Sequence, residues 1–154
     1  MKRVVLVRHA KPESAAFTND SERPLSDEGR QVHEKISHEL RQQNIVPTKI
    51  ITSPLLRARQ TAEIMSKVFD GVPIQESAIL DGTHSVDEIV ETIADMEHGE
   101  SIFLVGHDPN MTQFVNKLGS EKVTEGVHKS GCVVFDFPDE ISFGKGQYVG
   151  YIHP

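Results

Sequence analysis

The chain has 154 residues, 37% of them hydrophobic and 25% charged, with a formal net charge of −7. That length and composition suit one globular domain, 1–154, with a sizeable core. The acidic balance disfavours nucleic acid and anionic membrane as partners, so an anionic guest needs positive charge concentrated locally; Arg8, Arg23, Arg57 and Arg59 are the reserves.

Val4–Val7 reads as a buried strand. Preceded by Met1-Lys2-Arg3, it superficially resembles a secretory signal, but it is too short and Arg8 ends it without a small-residue cleavage pattern. Residues 10–25 form a polar loop closed by Arg23-Pro24-Leu25. Ser26 is a good N-cap for a helix from about Asp27 to Gln43, with Val32, Ile36 and Leu40 along one face. Lys49–Thr52 is a second strand, running into Ser53-Pro54, a serine cap and first-turn proline opening a helix. That helix carries Leu55, Leu56, Ala58, Ala62, Ile64, Met65 and Val68 and ends near Gly71. Val72–Gln75 forms a short strand. Ser85 and Glu88 match a capping box for a helix with Ile89, Val90 and Ile93. Ser101–Val105 is a buried strand, followed by Asp108-Pro109 opening a helix through Met111, Phe114, Val115 and Leu118, with Gly119 as its stop. Cys132–Phe137 and Gln147–Ile152 alternate and predict an antiparallel pair at the sheet edge. Cys132 is the single cysteine, expected to be a buried strand thiol; it excludes a disulfide framework and fits a reducing cytoplasm. No stretch reaches the length of a membrane span. The alternating order predicts a three-layer α/β/α domain with a mixed, mostly parallel sheet.

Three segments share one geometry, a strand end feeding a loop or helix: Arg8-His9, Ser53 to Ala58, and Gly106-His107-Asp108-Pro109. Parallel sheets bind ligands just beyond the carboxyl ends of their strands, and helix N-termini there attract anions. Arg57, one turn into its helix, can reach back to that crevice. Arg8 and Arg57 together suit a tetrahedral oxyanion, so phosphate is the natural guest. Flanking guanidiniums keep His9 neutral and nucleophilic, and a phosphorylated imidazole would split one hard hydrolysis into two easier steps. His107 can donate to a non-bridging oxygen. Arg59 falls on another helix face and reads as solvated. His33, His38, His98 and His153 show no convergent ligand spacing. A metal site from His9, His107 and an aspartate lacks a ligand pair, so neither metal nor cofactor is expected.

Leu6-Val7-Arg8-His9-Ala10-Lys11, Asp20-Ser21-Glu22-Arg23-Pro24-Leu25, Ser53-Pro54-Leu55-Leu56-Arg57-Ala58 with Thr61-Ala62, and Val105-Gly106-His107-Asp108-Pro109 resemble the histidine phosphatase (phosphoglycerate mutase-like) superfamily. They look most like its small bacterial phosphohistidine phosphatase branch. The resemblance runs in order to about residue 118. It implies His9 as phosphoryl acceptor, Arg8, Arg57 and His107 as the phosphate pocket, and a mixed sheet flanked by helices. Alanine at position 10 is typical of that branch, where the mutases carry glycine. By the same resemblance Arg23 sits over the pocket mouth, a surface loop position being the alternative. Members that cleave phosphate esters usually place a glutamate after the third strand to protonate the departing oxygen; here Asp81 is the candidate acid, with Glu76 and His84 behind it. Asp81 equally suits support of a turn before Gly82.

A phosphatase acting through phosphorylated His9, most readily on protein phosphohistidine, is therefore expected. A broad small-molecule phosphomonoesterase and a non-catalytic phosphate-binding module are the alternatives; a mutase fits the short chain less well. No long apolar stripe is left over to demand a second copy, so a monomer is expected.

Overall fold

Four consecutive residues of β1 (Lys2–Arg8), Val4 to Val7, are fully buried: Val4 and Leu6 join one apolar cluster, Val5 and Val7 another. A strand covered on both faces needs helices on either side, which is why it is an unbroken apolar run. The computed structural model describes residues 1–14 and 19–154, so residues 15–18 of the expected polar loop lie outside the described residues. The other strands are β2 (Lys49–Thr52), β3 (Ile74–Glu76), β4 (Ser101–Gly106), β5 (Cys132–Phe137) and β6 (Gln147–Ile152). They form one sheet in the order β3-β2-β4-β1-β5-β6. β1 to β4 run parallel, and β5 and β6 complete the sheet antiparallel. The helices are α1 (Asp27–Gln42), α2 (Leu56–Val68), α3 (Val86–Glu91) and α4 (Asn110–Leu118). Ile36 and Leu40 of α1 and Ala58, Ala62 and Met65 of α2 pack with Val5, Val7 and Phe103 on one face. Ile89 of α3 and Phe114, Val115 and Leu118 of α4 pack with Val4, Leu6 and Leu104 on the other. This is the three-layer α/β/α arrangement predicted from the sequence.

Register decides what this frame presents. Arg8 lies opposite Gly106 in the β1–β4 ladder, so His9 and His107 leave the sheet side by side. Thr52 lies opposite Val105, and the Ser53 N–H donates to the Val105 carbonyl at 3.0 Å, so Ser53 emerges beside them. The segment after His9 is tied down locally. Ser26 caps α1 by accepting from the Gly29 N–H, and its own N–H and hydroxyl both donate to the Lys11 carbonyl at 3.0 Å. A Cβ at position 29 would stand 2.2 Å from that carbonyl, so only glycine permits the approach.

Some expected boundaries move. α2 opens at Leu56, not at Pro54, and Leu55 stands at its N-cap. The Ser53 hydroxyl instead accepts from the Leu55 N–H at 3.1 Å, in a turn ahead of the helix. α4 begins at Asn110, and Asp108 Oδ1 accepts from the Thr112 N–H at 2.9 Å, so part of that helix terminus is already satisfied by a carboxylate. The predicted Ser85–Glu88 capping box is present, but α3 ends at Glu91 and Ile93 lies beyond it. Arg59 is half-buried, not simply solvated: its Nε donates to the Pro54 carbonyl at 3.0 Å and lies 3.6 Å from Glu76. Cys132 is buried. No helix among the described residues is long and apolar enough to cross a membrane.

Candidate active site

His9 and His107 are each only 6% exposed, with ring centroids 5.0 Å apart. The backbone around His9 is clamped from several sides. Its N–H donates to the Gly106 carbonyl at 3.1 Å, and the Ser130 N–H donates to the carbonyls of Arg8 and His9 at 3.1 and 3.2 Å. The Ala10 N–H donates to Thr61 Oγ1 at 3.0 Å, while that hydroxyl donates to the Arg57 carbonyl at 2.8 Å. Thr61 thus ties the turn carrying Arg57 to the residue after His9.

His9 Nδ1 lies 2.7 Å from the Ala10 carbonyl. A carbonyl can only accept, so Nδ1 carries the proton and Nε2 presents a lone pair. Burial, the largest influence, holds the His9 pKa down to about 3; the bond to Ala10 opposes it, and His107, Arg57 and Arg8 add smaller lowering effects. The ring is neutral at pH 7, as expected, but mainly because it is desolvated and only secondarily because guanidiniums flank it. His107 is held at about 4, first by burial and then by Arg57. Its Nε2 is 2.7 Å from Ser53 Oγ.

Arg8 Nη1 donates to the Val127 carbonyl at 2.8 Å and lies 3.6 Å from Asp108. Arg57 donates through Nη1 to the Asp20 carbonyl at 2.9 Å and through Nη2 to Asp20 Oδ2 at 3.1 Å. Arg23 meets the other Asp20 oxygen at 3.1 Å, so a single aspartate joins it to Arg57. Arg23 therefore stands beside the Arg57 side of the site. Arg8 Nε, Arg23 Nε, Arg57 Nε and His107 Nδ1 are buried and have no hydrogen-bond partner among the described residues. Each guanidinium N–H left unpaired by burial costs about 1–3 kcal/mol, and an oxyanion is the kind of guest that forms charge-assisted bonds to such groups. Beside Arg8 a cavity of about 540 Å³ opens, lined also by Asp108, Val127, His128 and Lys129.

Asp81 is spent on its own turn. Its Oδ1 accepts from the Thr83 N–H at 2.8 Å and the Thr83 hydroxyl at 2.6 Å, ahead of Gly82 at φ +93°. Partial burial raises the Asp81 pKa, but those two bonds, with His84 and His107 nearby, outweigh it and the net shift is downward. Of the other candidates, Glu76 is exposed beside Arg59, and His84 bonds Glu88 at 2.8 Å, which raises its pKa. Among the described residues no three His, Cys, Asp or Glu side chains converge as a metal-binding set.

Asp20, Ser53 as a partner of His107, Thr61 and Ser130 were not anticipated as site residues. The one local signal was Asp20 three residues before Arg23. His33, read as featureless, is fully buried and bonds Ser130 at 3.0 Å, directly beneath the clamp on Arg8 and His9.

Residues 4–85 match the family model of the histidine phosphatase superfamily (branch 1). An uncharacterised protein of Picosynechococcus sp. is 30% identical over 109 residues, which are 68% of this chain and 64% of that protein, so this chain spans just under two thirds of that relative. Among solved structures, a candidate phosphohistidine phosphatase SixA from Agrobacterium tumefaciens is 25% identical with a TM-score of 0.84, covering 99% of this chain and 97% of that one. A protein histidine phosphatase SixA complexed with tungstate is 20% identical with a TM-score of 0.87, covering 98% and 96%. A mycobacterial glucosyl-3-phosphoglycerate phosphatase complexed with VO3 is 14% identical with a TM-score of 0.76 over the whole of both chains. The family model spans more than half of the chain, and the sheet order and flanking helices match those solved structures: this chain is a member of the histidine phosphatase superfamily.

Proposed function

We propose that this protein is a phosphatase that transfers a phosphoryl group to His9 Nε2 and then to water, with protein phosphohistidine as substrate. One observation carries the reading: a neutral buried imidazole with a bare Nε2 stands near buried guanidinium N–H groups of Arg8 and Arg57, and near the Nδ1 atom of His107, that have no partner among the described residues. In the first step the Nε2 lone pair attacks phosphorus, and the bond from phosphorus to the leaving atom breaks with its electron pair. Nδ1 keeps its proton on the Ala10 carbonyl, so the phosphorylated ring is cationic. When water attacks phosphorus in the second step, Nε2 departs as a neutral imidazole. Arg8, Arg57 and His107 face the charge that develops on the non-bridging oxygens.

The leaving group favours phosphoramidate over a simple ester. Phosphohistidine whose second nitrogen is protonated leaves as neutral imidazole and needs no proton donor. An alkoxide needs one, and the Asp81 carboxylate is already engaged by the Thr83 N–H and hydroxyl. The test is rapid quenching during turnover of a radiolabelled phosphohistidine protein, with a small alkyl phosphate in parallel and no metal added. An acid-labile, base-stable label on His9 is expected, with faster turnover of the phosphoramidate. Phosphate binding without cleavage of either compound would instead make this a phosphate-binding module, and faster turnover of the ester would make it a phosphomonoesterase.

A further inference from the structure

We infer that Ser53 is a positioning residue that fixes His107 in its Nδ1–H tautomer, with that N–H directed to the phosphoryl group; the inference deepens the phosphatase reading and rests on it. The Ser53 hydroxyl is fully buried and has two neighbours within hydrogen-bonding distance among the described residues. The Leu55 N–H, 3.1 Å away, can only donate, so it takes one oxygen lone pair. His107 Nε2, 2.7 Å away, is the remaining neighbour, and it must receive the hydroxyl proton if that proton is to be bonded at all. Nε2 is then the acceptor, and in a neutral ring the proton resides on Nδ1. The opposite tautomer would leave the Ser53 hydroxyl proton buried and unpaired, and Nδ1 would face an incoming phosphoryl oxygen as a lone pair against a lone pair. With Ser53 donating, the unpartnered atom is one N–H, His107 Nδ1.

The frame makes this a fixed setting. The Ser53 N–H donates to the Val105 carbonyl at 3.0 Å, and its carbonyl accepts from the Thr52 hydroxyl at 3.1 Å. The serine is thereby locked to the strand that delivers His107. The second residue of the Ser-Pro pair, Pro54, has no N–H to compete for the hydroxyl, which leaves the Leu55 N–H to close the turn.

Nitrogen-15 NMR of the imidazoles in the wild-type protein tests the tautomer without any substitution. His107 should show a protonated Nδ1 and an unprotonated Nε2, and addition of inorganic phosphate should shift Nδ1 more than Nε2. A protonated Nε2 on His107 overturns the inference. Ser53→Ala should lower kcat by roughly 10- to 100-fold, the range seen when the partner that orients a metal-bound imidazole is removed, with KM changed less than about threefold and a mixture of His107 tautomers. Ser53→Thr, which keeps the hydroxyl, should recover most of the rate. In a His107→Ala background, Ser53→Ala should cost less than about twofold more, because its partner is already gone. An undiminished loss in that background overturns the inference. If no phosphoryl compound is turned over by the wild type, the phosphatase reading fails, and the imidazole spectrum still decides the role of Ser53.

Discussion

Acidification from about pH 7 to about pH 5 should remove a large share of the folding stability. His9 and His33 titrate near 3 in the native protein and His107 near 4, in each case chiefly because burial disfavours the charged ring. An unfolded histidine titrates near 6.5. Between those values the unfolded chain binds protons that the native state refuses, so stability rises with pH through the window and is lost as pH falls through it. At pH 5 each ring contributes about 2 kcal/mol of destabilisation, and the three together about 5–6 kcal/mol, against a typical domain stability of about 5–15 kcal/mol. Because pH 5 lies above all three native values, the result depends mainly on the unfolded chain. His84 acts in the opposite sense, since its pKa is raised by Glu88, but it is exposed to solvent screening. Urea unfolding at the two pH values, with the slope unchanged, measures the loss. His33→Gln, which retains a polar partner for Ser130, should reduce it to about 4 kcal/mol. Equal stability at pH 5 and pH 7, or NMR titration of His33 near 6.5, would refute the burial argument.

Replacing His9 with Ala should lower turnover by more than about 1,000-fold and abolish the quenched label, while isothermal titration with inorganic phosphate still detects binding. Thr61→Val leaves the Ala10 N–H unpaired in a fully buried position; chemical denaturation should show a loss of about 1–3 kcal/mol, and kcat should fall with the displaced His9. For Asp81→Asn, whose carboxylate serves the Thr83 turn, turnover of both a phosphoramidate and an alkyl phosphate should fall less than about tenfold; a loss of about 100-fold confined to the ester would establish the acid role.

The parts of the molecule governed by local patterning are those legible in the sequence. β1 and β4 announce themselves as unbroken apolar runs because both faces are covered. The Ser26 cap and the Ser85–Glu88 box each satisfy a helix N–H with an atom three residues away, so the helix starts are written locally even though Ser26 also donates to the Lys11 carbonyl. Ser53 misleads for the opposite reason. Its sequence neighbours advertise a helix cap, but its hydroxyl takes a partner 54 residues away. Asp20 likewise engages Arg57 across 37 residues, a pairing without local periodicity. The helix expected through Ile93 fails differently. Ile89, Ile93 and Met96 keep helical spacing and are buried, but the backbone after Glu91 tightens into bonds three residues apart, from Thr92 to Ile89 and from Ile93 to Val90. Side-chain burial can keep its period where the α-helix does not.

The site is less cationic than its arginines suggest, and this bears on how it holds phosphate. Arg57 and Arg23 share Asp20, and Arg8 faces Asp108 at 3.6 Å. The ionised Asp81 lies close enough to His107 to influence its titration. Three guanidiniums and three carboxylates nearly cancel, on a chain whose formal charge is −7. A phosphate dianion is therefore not drawn in by long-range attraction, and its affinity has to come from oriented N–H groups at close range, which salt screens little. Raising ionic strength from about 0.02 M to about 0.2 M should leave KM for a small dianionic phosphate within about threefold, with any drift towards lower KM as repulsion from the acidic surface is screened. A KM that rises tenfold or more over that range would show that net charge, and not the geometry of the donors, captures the substrate.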